Sequence, residues 1–171
     1  MAIGTCVRYL MMFFMKILKR FLTGLFLLSL VCASCQKPPT VVTEESPAFS
    51  GRMKVDYDGE SFVQEGISVK VDFSEDGKSM DMMLNKVKFV PAMPIRIDVT
   101  IMNVPLEEAA DGSVMFSADG VVPWAMGGLY DTYRVDNLSG VLKDNTISFS
   151  LEFFNTKKNE GYPTSYEGVK K

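Results

Sequence analysis

The side chains that most often carry catalysis are scarce in this sequence. It contains no histidine, so Ser-His-Asp and Cys-His arrangements are excluded. A Ser-Lys pair or a pair of carboxylates stays open, because a sequence does not show which side chains meet in space. On this composition we predict a protein that is not an enzyme and that uses no cofactor.

One short segment has the composition of a metal-binding loop. Residues 56–60 read Asp-Tyr-Asp-Gly-Glu and faintly resemble a calcium loop. An EF-hand needs further ligands, a bidentate glutamate at position twelve and flanking helices, whereas strand patterns flank this segment. We therefore interpret it as a hairpin turn with Gly59 at positive φ, and we predict no metal site.

Apolar and polarizable groups are the better candidates for binding. Methionine is conformationally adaptable and is common on promiscuous apolar surfaces, although it also fills cores. Eight methionines follow residue 35, at positions 53, 80, 82, 83, 93, 102, 115 and 126. The single tryptophan, Trp124, lies in an apolar segment with a Gly-Gly pair, residues 121–129. This segment has two interpretations: a plug over one end of the fold, or a lid over a ligand mouth.

The N-terminus has the pattern of a secretion leader. Lys16, Lys19 and Arg20 precede an apolar run of about a dozen residues, which is too short to span a membrane alone. We predict a signal peptide over residues 1–34, with a true start at Met15 as an alternative. Ala33-Ser34-Cys35 resembles the lipobox of bacterial lipoproteins, although Cys32 stands where that family prefers leucine. The resemblance implies lipidation of Cys35; ordinary cleavage near Ala33, leaving a thiol, is the alternative.

The net charge and the cysteine content of the chain after the leader limit the functions that remain possible. The leader holds four of the 18 basic residues and none of the 21 acidic ones, so the rest of the chain has a formal net charge of −7. This balance argues against nucleic acid as a partner and against a polybasic membrane surface. Cys35 is then the sole cysteine, which excludes an internal disulfide and a zinc site of cysteine and histidine. Residues 35–48 form a proline-containing, flexible tether of up to about 45 Å.

From residue 49 onwards, apolar and polar residues alternate with period two, as in half-buried strands. Examples are Ile67 to Phe73, Ile95 to Ile101 and Ile147 to Phe153. We predict eight strands, near residues 50–58, 62–73, 78–90, 95–104, 113–118, 130–142, 146–154 and 162–169. Residues 106–110 are predicted to form a short helical turn. Changes of parity predict β-bulges near Asn85 and near Asp136-Asn137.

The short turns leave no room for parallel crossovers, so an antiparallel up-and-down barrel follows. The lipobox, the Pro/Thr tether, "MPIRIDV", "VDNLSGVL" and "YEGVK" together resemble the calycin-like β-barrel lipoproteins of Gram-negative bacteria. Calycins include the lipocalins, but the lipocalin Gly-x-Trp signature is missing here, and this bacterial family brings no settled activity. The resemblance implies an eight-stranded calycin-like barrel over residues 49–171, attached to the cell envelope through lipid on Cys35, most simply at the outer membrane.

The barrel interior is the candidate ligand site, and an eight-stranded barrel can either be filled or hold one small ligand. Interior ligand-binding residues are predicted at Met53, Val55, Tyr57, Met80, Met82, Phe149 and Leu151. Met93, Trp124 and Met126 are predicted to form a rim or lid, at the end away from the tether. We predict binding of an apolar small molecule or lipid; the alternative is a filled barrel that serves as a structural or protein-interaction module.

Overall fold

The computed structural model describes residues 46–171; the leader, Cys35 and most of the tether lie outside the described residues. This part of the chain is all-β. The strands are β1 Ala48–Tyr57, β2 Glu60–Phe73, β3 Ser79–Val87, β4 Ile97–Glu108, β5 Val114–Ala118, β6 Trp124–Ala125, β7 Gly128–Leu129, β8 Tyr133–Lys143, β9 Thr146–Asn155 and β10 Glu160–Lys170. None of the described residues forms a helix of the length and apolarity needed to cross a membrane.

Eight of these strands close into a single antiparallel barrel. Each pairs with its neighbour in the chain, and β10 returns to pair with β1, where Met53 lies opposite Tyr166. The short strands β6 and β7 belong to the segment between β5 and β8, and β6 pairs with β4 at Val99 and Thr100. The predicted eight-stranded up-and-down barrel is therefore confirmed.

Alternation along the strands produces the core. Met80, Met82 and Leu84 of β3 are at most 1% exposed, while the residues between them are partly exposed. The same pattern in β9 buries Ile147, Phe149, Leu151 and Phe153. Burying one face of each strand against the others removes apolar surface from water, which is the main favourable term in folding.

Both predicted bulges are present. The β3–β4 register shifts between Leu84 and Val87, and the β8–β9 register shifts between Asp136 and Ser139. Lys86 and Asn137, the residues at these shifts, adopt positive φ. A further bulge in β2 places Gly66 at φ +70° between the buried Gln64 and the buried Ile67. Bulges bend strands and re-aim side chains, as a closing barrel requires.

Two expectations from the sequence are wrong. Residues 106–108 are not helical, because they continue β4 and pair with Phe116, Met115 and Val114 of β5. Ile95 does not face inward: β4 begins at Ile97, and Ile95 is 53% exposed. Pro91 and Pro94 lack the N–H that pairing in a sheet needs. They therefore keep the segment before β4, which includes Ile95, out of the sheet.

The two ends of the barrel differ in their connections. The loop end carries residues 58–59, 88–96, 119–132 and 156–159. The terminus end carries the turns at 74–78, 109–113 and 144–145, together with the start of β1 and the finish of β10. The longer and more apolar connections are therefore gathered at the end opposite to the point where the tether joins.

Candidate functional site

The predicted interior residues lie in the packed core of the barrel. Met53, Val55 and Met82 are fully buried, and Met80, Phe149 and Leu151 are at most 5% exposed. Tyr57 is half-buried and packs on Tyr162, with ring centroids 5.8 Å apart. The structure thus brings these side chains together as core, and their contact with a ligand stays a prediction.

Aromatic rings fill the half of the interior nearest the loop end. The Phe89 ring lies 4.1 Å from that of Phe153 and 4.4 Å from that of Tyr133, between centroids. Tyr133 in turn contacts Tyr130 and Tyr162. The convergence of these rings depends on barrel closure, which the periodicity of the sequence does not display.

A second group of rings fills the half nearest the terminus end. Phe149 stacks on Tyr166 at 5.1 Å and lies 6.3 Å from Phe116. The Tyr166 hydroxyl is within 3.0 Å of the carbonyl oxygens of Phe49 and Ile67, to which it donates. Gly140 gives these rings room, since a Cβ at that position would collide with Phe116 and Phe149.

The buried hydroxyl of Tyr166 predicts a loss of stability at high pH. Burial raises the pKa of Tyr166 to about 12. The unfolded chain ionises this group near pH 10, so its contribution is complete below pH 10 and is lost as the pH rises towards 12. Two pKa units correspond to about 2–3 kcal/mol of unfolding free energy. Urea melts at pH 9 and pH 11.5 measure the effect, and Tyr166→Phe is expected to show a smaller decrease. Equal decreases in both proteins would contradict the assignment.

A buried glutamine closes the interior at the loop end. Gln64, 2% exposed, accepts a hydrogen bond from the backbone N–H of Lys88 and donates one to the carbonyl of Lys88, both at 2.9 Å. Its Oε1 also accepts from Nη1 of Arg96 at 3.1 Å. These bonds hold the 88–96 loop against the barrel. Sequence reasoning missed Gln64, although Gly66 two residues later was a signal that the parity of β2 changes there.

The predicted rim residues occupy three different positions. Met93 is half-buried against the core, and its sulfur accepts the N–H of Phe89 at 3.3 Å. Trp124 is half-buried in β6, so it is part of a hairpin that adds to the barrel wall beside β4. Met126 occupies the turn of that hairpin, at φ +54°, and is 72% exposed.

Three exposed apolar side chains form what we term the apolar cluster: Ile95, Met126 and Leu129, which are 53%, 72% and 40% exposed. Leu129 pairs with Trp124 across the β6–β7 hairpin. Because Val99 pairs with Ala125, the hairpin turn runs alongside the start of β4, which Ile95 precedes by two residues. The members of the cluster therefore belong to two connections of the loop end, residues 88–96 and 119–132.

The best-defined concavities are open grooves on the outer wall, with volumes from about 430 to 590 Å³. The largest of these grooves follows β1, β10 and the Gly66 bulge, and Gly51 and Gly168 are among its lining residues. Among the described residues that line this groove, one ion pair is present: Arg52 and Glu65, whose charged atoms lie 3.3 Å apart and whose side chains are well exposed.

The Asp56 to Glu60 segment forms the predicted hairpin turn. Asp58 and Gly59 both adopt positive φ, at 53° and 78°, between the paired residues Tyr57 and Glu60. Asp56 accepts a hydrogen bond from Ser61, which together with Lys54 lowers the pKa of its carboxyl. Among residues 46–171, no group of three or more acidic, histidine or cysteine side chains is arranged to hold a metal ion.

Fold and site together define an all-β domain, an eight-stranded closed antiparallel barrel of the calycin-like type, with a packed interior and an apolar loop end. No family model, curated protein or solved structure matches this chain. The likeness to calycin-like lipoproteins therefore stays a prediction.

Proposed function

We propose that this protein is a non-catalytic module of the bacterial cell envelope, anchored by lipid on Cys35, whose loop end docks against another envelope protein. The observation that carries the proposal is the apolar cluster, which stands on a barrel whose interior is already packed. This proposal corresponds to the filled-barrel alternative of the sequence analysis, with the apolar cluster as the docking surface.

The packing of the interior supports docking over storage of a ligand. An apolar ligand inside the barrel would have to displace side chains such as Phe89 and Phe153, which are fully buried and touch each other. Creating such space costs several kcal/mol per large side chain. The hydrogen bonds of Gln64 to Lys88 would also have to break for the loop end to open.

The exposure of the apolar cluster supports a contact with a partner. Single exposed apolar residues are ordinary, but exposed apolar side chains grouped in one hairpin, as Met126 and Leu129 are, are a feature of interaction sites. Met126 is the most exposed large apolar residue of the described chain, and methionine adapts to differing partner surfaces. The cluster lies at the end of the barrel opposite to the start of β1, where the tether joins.

Site-specific photo-crosslinking in the intact cell tests this proposal. A photoreactive phenylalanine derivative at Met126 or Leu129 is expected to give a protein adduct of one defined mass. The matched control is the same substitution at Met115, which is also an exposed methionine, 45% accessible, but belongs to the terminus-end half of β5. Adducts of the same mass and yield at all three positions, or none at Met126 and Leu129, would overturn docking through the loop end.

Binding of an apolar small molecule is the second candidate. It is supported by the three fully buried or nearly fully buried methionines 53, 80 and 82, whose flexible side chains can yield more easily than branched ones. A saturable, stoichiometric apolar probe that changes the emission of Trp124, the sole tryptophan, would favour this function. If a probe binds while Trp124 does not respond, the mouth lies elsewhere.

A further inference from the structure

An open groove of about 470 Å³ on the outer wall lies between two bulges, one in β2 and one in β3. Gly66 lines the groove at the first bulge, at φ +70°. Lys70, Lys86 and Arg96 line the walls. A volume of this size is in the range of small-molecule sites, and three cations around it are unusual on a domain of net negative charge.

The acidic residues of the groove are already engaged. Glu65 pairs with Arg52 at 3.3 Å, and Asp98 accepts the backbone N–H of Lys86 at 2.8 Å. Within residues 46–171, the ammonium groups of Lys70 and Lys86 make no ion pair or hydrogen bond. Together with Arg52, the groove thus has four cationic side chains and two carboxylates, those of Glu65 and Asp98. The two excess positive charges are the ammonium groups of Lys70 and Lys86, which have no partner among the described residues.

One of these cations, Arg96, is held in place by the buried side chain of Gln64. Nη1 of Arg96 donates to Oε1 of Gln64 at 3.1 Å and to the carbonyl of Lys86 at 3.0 Å. Gln64 is buried and is itself fixed by two bonds to Lys88. The other guanidinium nitrogens of Arg96 have no partner among the described residues, so they remain as donors in a side chain whose position is set beforehand.

The backbone of Lys86 supports the same interpretation. Lys86 adopts φ +54°, a conformation that is uncommon and unfavourable for a residue with a long side chain. Side chains hold both of its backbone groups, because Asp98 accepts its N–H and Arg96 donates to its carbonyl. Glycine or asparagine would occupy this position at lower cost. Backbone strain that its surroundings enforce is a feature of functional sites.

We propose that this groove binds a phosphate ester group, held by Lys70, Lys86 and Arg96. A guanidinium with fixed orientation and two mobile ammonium groups match the planar and the point-charge modes of phosphate recognition. The phosphate belongs either to a soluble ester or to a lipid headgroup, and the site stands apart from docking through the apolar cluster.

Amide chemical shifts of the full-length lipidated chain test the proposal. The first probe is inorganic phosphate, with the chain in neutral detergent at constant ionic strength. The second is reconstitution into nanodiscs of phosphatidylcholine with or without phosphatidylglycerol. Saturable shifts at Gly66, Ser68 and Lys86 are expected. A response to inorganic phosphate indicates that a soluble phosphate group is sufficient, and a response only to phosphatidylglycerol indicates a lipid headgroup.

The double variant Lys70→Gln, Lys86→Gln is expected to weaken the response at least tenfold in apparent affinity. The matched control, Lys157→Gln with Lys158→Gln, removes the same charge from the 156–159 loop and is expected to stay within twofold of the parent chain. No saturable shift with either probe, equal shifts with sodium chloride, or an unchanged affinity in the groove variant would each overturn the site. Docking through the apolar cluster would be unaffected by any of these results.

Discussion

Replacing Phe149 with alanine is expected to lower the free energy of unfolding by about 3–5 kcal/mol. The side chain is 5% exposed, stacks on Tyr166 and contacts Phe116. Strands on both sides of β9 fix its backbone by hydrogen bonds, so the surrounding wall has little freedom to collapse into the space. Urea melts of the intact chain measure the loss.

The control for this substitution is Phe73→Ala, the same chemical change at a position that is 45% exposed at the finish of β2. It is expected to cost clearly less than Phe149→Ala, because nearly half of the Phe73 side chain already stays in water. A cost for Phe149→Ala as small as that of the control would mean that the interior has slack. Such a result would favour the ligand-binding function over docking.

Replacing Cys35 with alanine is expected to move nearly all of the protein from the membrane fraction to the soluble fraction. Each acyl methylene buried in a bilayer contributes about 0.8 kcal/mol, and two or more chains give stable attachment. Loss of the acceptor thiol removes the chains together. Fractionation of cells followed by immunoblotting measures the partition, and thermal melts of the released protein should be unchanged.

Cys32→Ala is the matched control, because it removes a neighbouring thiol that the lipobox pattern does not assign as acceptor. It is expected to leave the protein in the membrane fraction. If Cys35→Ala also stays in that fraction, lipid on Cys35 is not the anchor. Reaction of Cys35 in the parent protein with a maleimide would indicate cleavage near Ala33 and an unmodified thiol instead.

The barrel could be predicted from the sequence because its information is local. Period-two alternation assigns a face to each residue, and short turns force neighbouring strands to pair. Bulges near Asn85 and Asn137 followed from the same alternation, where it slipped by one residue. The predictions failed at two places in β4. Leu106 to Glu108 were predicted to be helical but continue the strand. Ile95 fits the alternation of the strand but lies before its first paired residue, Ile97.

The candidate sites could be predicted less well, because they depend on which strands meet. Trp124 and Met126 were identified as a loop pair, but pairing with β4 makes one of them part of the wall and leaves the other exposed. Gln64 was missed, because the Gly66 bulge changes the parity of β2 and turns this residue inward. The groove of Lys70, Lys86 and Arg96 depends on two bulges that lie on different strands. The sequence pattern of each strand does not show that the two bulges are neighbours in space.

Closure of β1 onto β10 has a consequence for the order of folding. Phe49 meets Lys170 and Val55 meets Thr164, so the seam joins the first and last strands of the domain. Contacts this distant in sequence are slow to form, and a growing chain cannot make them until β10 has been synthesised. Until then, β1 and β9 present open edges that invite pairing with other chains. Truncation before Glu160 is therefore expected to leave a sheet with permanently open edges and a tendency to aggregate.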